Sequence, residues 1–413
     1  MTRVPLTLIK PFRALRPAPG RAAEVLAPPY DVLSSAEARE RAKGKPWSFL
    51  HVSKAEIDLD QTIDLYHPTV YAKAAENLRR IIDAGVLARD DTPGYYVYRL
   101  KWRDRVETGF AAVASLRGYA ENRIRKHELT TPVKEDDRVR QIEAVGAQTG
   151  PVMLAYPEAP AIDALLAREA KRAPEVDVVV DDGVRHELWP IHDEASLAAL
   201  TSAVDALPAL YIADGHHRSA AALRVAEARG VLDGYFLAVL LPAHEMTILD
   251  YNRVLLDLNG LTPDAVLREI GRRYTIEPSG GPVRPARADE VGMVLGERWR
   301  RLALKPEIAA EAALSADPVA RLPVTLLTKN VIEPIFGVTD PRRDKRIDFV
   351  GGGRGIEELE RLVSSGKMAV AFALYPTEMR DLMAVADAGA IMPPKSTWFE
   401  PKLADGMVSH MLD

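Results

Sequence analysis

The chain has 413 residues, a formal net charge of −5, 47% hydrophobic and 27% charged residues, and no cysteine. That length exceeds what one hydrophobic core serves, so two or three domains of ordinary globular composition are expected. The acidic balance argues against a protein that works by neutralising nucleic-acid backbones, and the missing cysteines remove disulfides, thiolate nucleophiles and Cys-ligated zinc.

In chain order, Met1-Thr-Arg-Val-Pro-Leu6 lacks the apolar core of a signal peptide, and no apolar run approaches the ~18 residues of a membrane span. A cytoplasmic protein without a membrane partner is the expectation. Ile9–Pro17 and Ala27–Asp31 read as proline-fixed, extended segments, whose Arg13, Arg16, Tyr30 and Asp31 either line a site or simply pack. A helix is predicted from an N-cap at Ser34 or Ser35 through Lys43, stopped by Gly44. Trp47–Val52 reads as a strand, and Pro68–Ala84 as a helix ended by Gly85. Tyr95–Trp102 and Thr108–Leu116 form a hairpin about a polar turn near Asp104. A polar helix over Lys134–Gly146, a buried strand at Val152–Tyr156 and another at Phe236–Leu241 follow. Beyond Gly260, helices are predicted at Pro263–Arg272 and Pro323–Val331, each with proline at its first position. The chain closes with a strand at Met368–Leu374, a helix at Glu378–Ala388 and the run Ile391–Lys402. Strands alternating with helices imply a mixed α/β or α+β architecture.

The most informative stretch is Ala209-Leu-Tyr-Ile-Ala-Asp-Gly-His-His-Arg218, an apolar strand followed by a helix-like run from Ser219 to Arg229. Between them, Asp214 to Arg218 make a tight strand-to-helix turn. Gly215 permits close backbone approach there, and the first N–H groups of a helix have no partner of their own. Helix dipole, orphan N–H groups and the Arg218 fork all favour an anion, so a phosphate site is one reading. A capped helix start whose Asp214, His216 and His217 satisfy backbone groups is the other. Twin metal ligation by His216 and His217 is disfavoured, because consecutive side chains at a turn diverge.

Three further clusters carry candidate chemistry. Lys126, His127 and Glu128 stand in a loop-like run, where Glu128 either accepts a proton beside a bound anion or belongs to a solvated charge cluster. Lys395, Ser396 and Thr397 follow Pro393-Pro394 and offer several donors in a small space, suited to a carboxylate or phosphate, or else a plain turn. Gly351-Gly-Gly-Arg-Gly355 fits neither the P-loop nor the dinucleotide fingerprint and reads as a structural turn.

The Asp214-Gly-His-His-Arg218 turn resembles the signature of the ParB/sulfiredoxin-like superfamily, and within it the archaeal free-serine kinases. Lys126-His-Glu128 resembles their P-H-E motif, and Pro394-Lys-Ser-Thr397 their P-K-T-T run, in the same order. Over its length the chain is identified as a member of the domain-of-unknown-function 1015 family. The motifs are I-K-P-F-R-A-L-R-P from Ile9, P-P-Y-D-V from Pro28, K-H-E-x-T from Lys126, A-D-G-H-H-R from Ala213 and M-P-x-K-S-T from Met392.

That resemblance implies an N-terminal α+β region over 1–120, a ParB/sulfiredoxin-like nucleotide-binding core over 121–260, and a C-terminal α/β domain over 261–413 contributing the Pro-Lys-Ser-Thr turn. It implies a kinase for the hydroxyl of free L-serine, with ATP or ADP as donor and Mg²⁺ held by Asp214 directly or through water. Glu128 would take the hydroxyl proton. Gly215, His216, His217 and Arg218 would cradle phosphates, with Asp214, His216 and Arg218 joining Glu128 in catalysis. Lys126, His127, Lys395, Ser396 and Thr397 would hold the amino acid. Its partners would be small molecules, nucleotide and amino acid, and not nucleic acid. The alternative is a non-enzymatic nucleotide-binding regulator on the same fold. Such a module has no need of a carboxylate like Glu128 aimed at the phosphates.

Overall fold

Two long, β-rich runs seed the first sheet. Tyr95–Trp102 and Arg105–Ser115 pair antiparallel in register from Tyr96 opposite Ala111 to Trp102 opposite Arg105. Arg103 takes the left-handed conformation at the turn, with φ +57°. This is the hairpin predicted about the polar turn near Asp104, its second strand beginning three residues earlier, at Arg105. Around it the computed structural model, which describes residues 6–231 and 233–412, assembles a nine-stranded sheet. The opening Met1–Pro5, read above for its lack of an apolar core, lies outside the described residues.

The chain divides into two units, Met1–Met246 with Pro401–Asp413, and Thr247–Glu400. In the first, the sheet runs in the order Ile124–Arg125, Leu210–Asp214, Val152–Tyr156, Tyr235–Pro242, Arg105–Ser115, Tyr95–Trp102, Arg185–Ile191, Val176–Val179, with Ile9–Lys10 pairing Arg105–Ser115. Val152–Tyr156 is buried at every position, as a central strand covered on both faces must be. The core gathers Tyr95, Phe110, Leu154, Tyr156, Trp189, Leu210, Ile212, Phe236 and Leu240. A smaller four-stranded sheet joins Leu87–Arg89, Ala14–Pro17, Ser409–Met411 and Ala147–Gln148, so residues near the two ends of the sequence share one ladder. The architecture is mixed α/β.

Helix starts follow their sequence signals. Ser34 caps the helix Ser35–Ala42 in a reciprocal box with Glu37. Pro68 opens the helix Pro68–Asp83 behind a His67 cap. Pro132–Val145 ends at Gly146 in the left-handed conformation. Trp47–Val52 departs from expectation. It is not a strand, and Leu50–Ser53 is a single helical turn. The helix after the Asp214 turn begins three residues earlier than the alanine run suggested, at His216.

The second unit is a six-stranded sheet, antiparallel throughout, ordered Tyr274–Ser279, Arg298–Leu304, Glu290–Leu295, Val370–Leu374, Tyr251–Leu255, Ile347–Gly351. Its core holds Val254, Val294, Trp299, Val350, Leu359 and Ala371. The predicted helix from Pro323 is α-helical to Leu327 and then widens to a π-turn over Thr328–Ile332. The glycine-rich run is packed: a side chain at Gly351 would come within 2.5 Å of Trp398, and one at Gly352 within 2.3 Å of Asp250. Close approach, not phosphate, accounts for those glycines. Among the described residues no helix is long and apolar enough to cross a membrane.

Candidate functional site

The first unit's site is set by one short pairing. Ile124–Arg125 lies parallel to Leu210–Asp214, with Ile124 beside Leu210 and Arg125 beside Tyr211. Both chains therefore leave the sheet at the same edge in the same direction. Lys126, His127 and Glu128 follow one strand; Gly215, His216, His217 and Arg218 follow the other. Two motifs far apart in sequence meet there, at the carboxyl ends of parallel strands where open α/β sheets commonly bind ligands. On its other side Leu210–Asp214 pairs antiparallel with Val152–Tyr156, and the register slips between Ile212 and Asp214. Such a bulge re-aims the side chain beyond it, here Asp214.

Gly215 is the N-cap of His216–Ala228 and sits at φ +100°, in the region that favours glycine. It offers no side chain to cap the helix, and a Cβ there would lie 3.0 Å from Nε of Arg218. The first helical turn thus presents backbone N–H groups without a side-chain cap.

Beneath the turn lies a packed set of charges. Asp214 Oδ2 meets Lys402 Nζ at 3.3 Å and Arg218 Nη2 at 3.4 Å. Burial opposes the charge of Asp214, yet Lys402 and Arg218 hold its carboxyl well below the usual carboxylate range. Arg218 Nη1 donates to the Pro151 carbonyl. Burial works against its guanidinium too, but Asp214, Asp31, Tyr30 and Asp405 together keep it firmly protonated. Asp405 is 2% exposed and accepts the Tyr30 N–H at 3.3 Å. Its carboxyl is pushed up to about 7 by burial, against the pull of Arg218. Arg138 stacks 3.9 Å from the Tyr30 ring and pairs with Asp137 at 2.6 Å. Tyr30, Arg138, Arg218 and Asp405 line a cavity of about 30 Å³, room for a water or two. Tyr30 and Asp31 of the proline-fixed start therefore belong to the surroundings of Arg218, whereas Arg16 pairs with Asp90 and Glu175 elsewhere.

Above the turn the chemistry changes. His127 and His216 are 2% and 4% exposed, their rings perpendicular with centroids 4.4 Å apart. The His127 N–H donates to His216 Nε2 at 3.4 Å. That leaves the His216 proton on Nδ1, which faces Glu128 Oε2 at 3.8 Å. Burial, then the neighbouring His127, pushes His216 well below the ordinary histidine range. Burial alone dominates at His127, pushed down to about 4. Neither ring nitrogen of His127 has a well-formed hydrogen bond among the described residues; the Ile212 backbone lies near enough only to temper that shift. Both imidazoles are neutral at pH 7. Glu128 is half-exposed. His217 accepts the Thr131 N–H at 3.1 Å and is held down to about 4 by burial and Lys134. Lys126 is exposed and lies over the Tyr119 ring at 4.4 Å.

Glu128, His127, Asp214, Gly215, His216, His217 and Arg218 are thus neighbours within one unit. Lys395, Ser396 and Thr397 belong to the second. There Lys395 is exposed, in the left-handed region at φ +58°, with Nζ 5.8 Å from the Tyr251 ring centroid. The Ser396 hydroxyl donates to the Pro393 carbonyl at 2.6 Å, and its own carbonyl accepts from Thr377. Beneath this turn Arg253, 3% exposed, donates to the carbonyls of Tyr251 and Pro394. Sequence reasoning did not find Lys402, Asp405 or Arg138. Lys402 closes a run that had been singled out, yet nothing in its spacing tied it to Asp214.

The family model described as Protein of unknown function (DUF1015) matches residues 9–325, most of the chain, and the chain belongs to that family. Curated proteins give no match. Among solved structures, a conserved hypothetical protein from Pyrococcus furiosus is similar at 13% identity and a TM-score of 0.34, covering 72% of this chain and 94% of that one. A free serine kinase in complex with AMP is similar at 11% identity and a TM-score of 0.33, covering 70% and 86%. SbnI with C-terminal truncation from Staphylococcus aureus is similar at 12% identity and a TM-score of 0.37, covering 72% and 86%.

Proposed function

We propose, for this member of the DUF1015 family, a small-molecule kinase that moves a phosphoryl group from ATP or ADP to the hydroxyl of free L-serine, giving O-phosphoserine. One observation carries the reading: the pairing of Ile124–Arg125 with Leu210–Asp214 sets the Glu128 carboxylate beside the uncapped N-terminus of His216–Ala228. An uncapped helix start is a site for phosphate oxygens. A carboxylate beside a phosphate bound there is placed to accept the proton of an attacking hydroxyl.

Phosphoryl transfer needs mainly positioning and charge stabilisation. In this scheme the serine hydroxyl oxygen forms the new P–O bond and the nucleotide's bridging oxygen leaves with the electron pair. The hydroxyl proton goes to Glu128. N–H groups of the first helical turn and neutral His216 and His217 face the phosphates, while buried Arg218 adds positive field from below. Asp214 does not suit a direct Mg²⁺ contact, because its Oδ2 already faces Lys402 and Arg218. Its proposed task is to hold those two cations, and Mg²⁺ would arrive bound to the nucleotide. In the second unit the Ser396 hydroxyl is committed to its own turn, which leaves it no donor for a substrate carboxylate.

The test is a phosphorus NMR screen of purified protein with Mg²⁺, ATP or ADP, and a panel of free amino acids and small alcohols. A phosphomonoester signal growing with L-serine and absent with L-alanine is the expected result. Bound nucleotide without transfer to any hydroxyl would contradict the kinase reading.

A further inference from the structure

We propose that His127, Glu128 and His216 form the protein side of a binding site for one divalent transition-metal ion of the zinc, cobalt or iron class. Their donor atoms all lie within 4.8 Å of one another, the one such convergence of three His, Asp or Glu side chains among the described residues. The proposal goes beyond the phosphoryl-transfer reading and does not depend on it.

The first argument is distance. Glu128 Oε2 lies 3.8 Å from His216 Nδ1, and a tetrahedral ion with bonds of about 2.0–2.2 Å holds its ligands roughly 3.4 Å apart. Only a small closure is needed, and Glu128 is the half-exposed member of the three. The two histidines are already fixed, with perpendicular rings in contact.

His127 supplies the second, independent argument. A neutral imidazole always carries one N–H donor and one lone pair. Burying both without partners is unfavourable, and such groups in native proteins are few. His127 is 2% exposed, and its two ring nitrogens stand among the small set of buried polar atoms with no hydrogen-bond partner. Packed edge-on against His216, the ring is held at the cluster while neither nitrogen has a well-formed protein hydrogen bond. A metal ion takes up that lone pair and leaves the remaining N–H to a backbone carbonyl, the usual outer arrangement of a ligating histidine.

Donor chemistry sets the class of ion. Imidazole pairs with a carboxylate suit zinc, iron, cobalt and nickel, whereas Mg²⁺ and Ca²⁺ prefer all-oxygen sets. Three protein ligands leave a position open, as in catalytic rather than structural sites. Ligation through His216 Nδ1 moves its proton to Nε2 and gives up the long 3.4 Å contact with the His127 N–H. A positive ion here would lie against the helix start already assigned to phosphate oxygens.

The experiment is titration of tag-free, metal-stripped full-length protein with Co²⁺, followed by its visible absorption, with Zn²⁺ as competitor. One equivalent of Co²⁺ should give a d–d spectrum of low-coordinate character, displaced by stoichiometric Zn²⁺ but not by millimolar Mg²⁺. Glu128→Ala, at a half-exposed loop position, should weaken binding at least about tenfold, and His127→Gln by about 100-fold or more. Absence of stoichiometric Co²⁺ binding overturns the proposal, as does binding that both variants leave unchanged. Phosphoryl transfer to serine by protein that binds no Co²⁺ would overturn the ion site and leave the kinase reading standing. Co²⁺ binding lost in both variants, in protein that transfers no phosphate, would support the ion site and sink the kinase instead.

Discussion

Below the Gly215 turn, Asp214 sits between Lys402 and Arg218, and Arg218 is ringed by further acidic groups. Above it, two buried, uncharged imidazoles stand beside a half-exposed carboxylate. The lower set is self-sufficient, each charge answered from within the fold. The upper set is not, because neither ring nitrogen of buried His127 has a well-formed hydrogen bond among the described residues. The difference separates the part of the motif that holds the turn together from the part available for chemistry. Arg218, which the sequence marks as a phosphate fork, falls on the lower side, while His127, which the resemblance assigns to the amino acid, falls on the upper.

Stability measurements can break this division. Arg218→Ala removes a buried guanidinium and takes one of two cations from the partly exposed Asp214, a loss of about 1–3 kcal/mol. Glu128→Ala removes a half-exposed group and should stay within about 1 kcal/mol of the parent. Urea denaturation of the two variants decides the matter; equal losses would erase the distinction between floor and rim.

Acid titration sharpens it, because the two sides carry opposite signs. His127 and His217 are both held at about 4 in the fold, against about 6.5 in an unfolded chain. The unfolded state then binds more protons in between, so their contribution is complete above about pH 6.5 and is lost as pH falls towards 4. Asp405 is held up at about 7, against about 3.9 unfolded. The folded state binds the extra proton there, so its contribution is complete at low pH and is lost as pH rises through 7. Asp405→Asn should therefore steepen the acid loss of stability by up to about 1.4 kcal/mol per pH unit between roughly pH 4 and 6.5. A slope unchanged by that substitution would mean an ionised Asp405 in the native floor.

Much of the local structure was legible because its signals are local. The Ser34 cap, the proline starts at Pro68 and Pro263 and the hairpin at Tyr95–Ser115 need no distant contact to be recognised. Trp47–Val52 misled because a short apolar run does not distinguish strand from helix. There Phe49 donates its N–H to the Val25 carbonyl and packs against Gly406, contacts invisible to a six-residue window. The site was legible as motifs and illegible as an arrangement. Ile124–Arg125 is two residues long and carries no periodicity, yet its pairing helps bring Glu128 to His216. Lys402 and Asp405 enter from the far end of the chain through the ladder of Ser409–Met411 and the Ala27–Asp405 bridge, a tertiary fact without a sequence signature.

The central claim is that Glu128 takes a proton beside a phosphate bound at the helix start. Glu128→Gln keeps its shape and removes that basicity, so paired assays of nucleotide binding by calorimetry and of transfer to serine by phosphorus NMR address it most directly. Transfer should fall by about 10²-fold or more while nucleotide affinity changes less than about twofold. Transfer at the parent rate in the Glu128→Gln protein would contradict it.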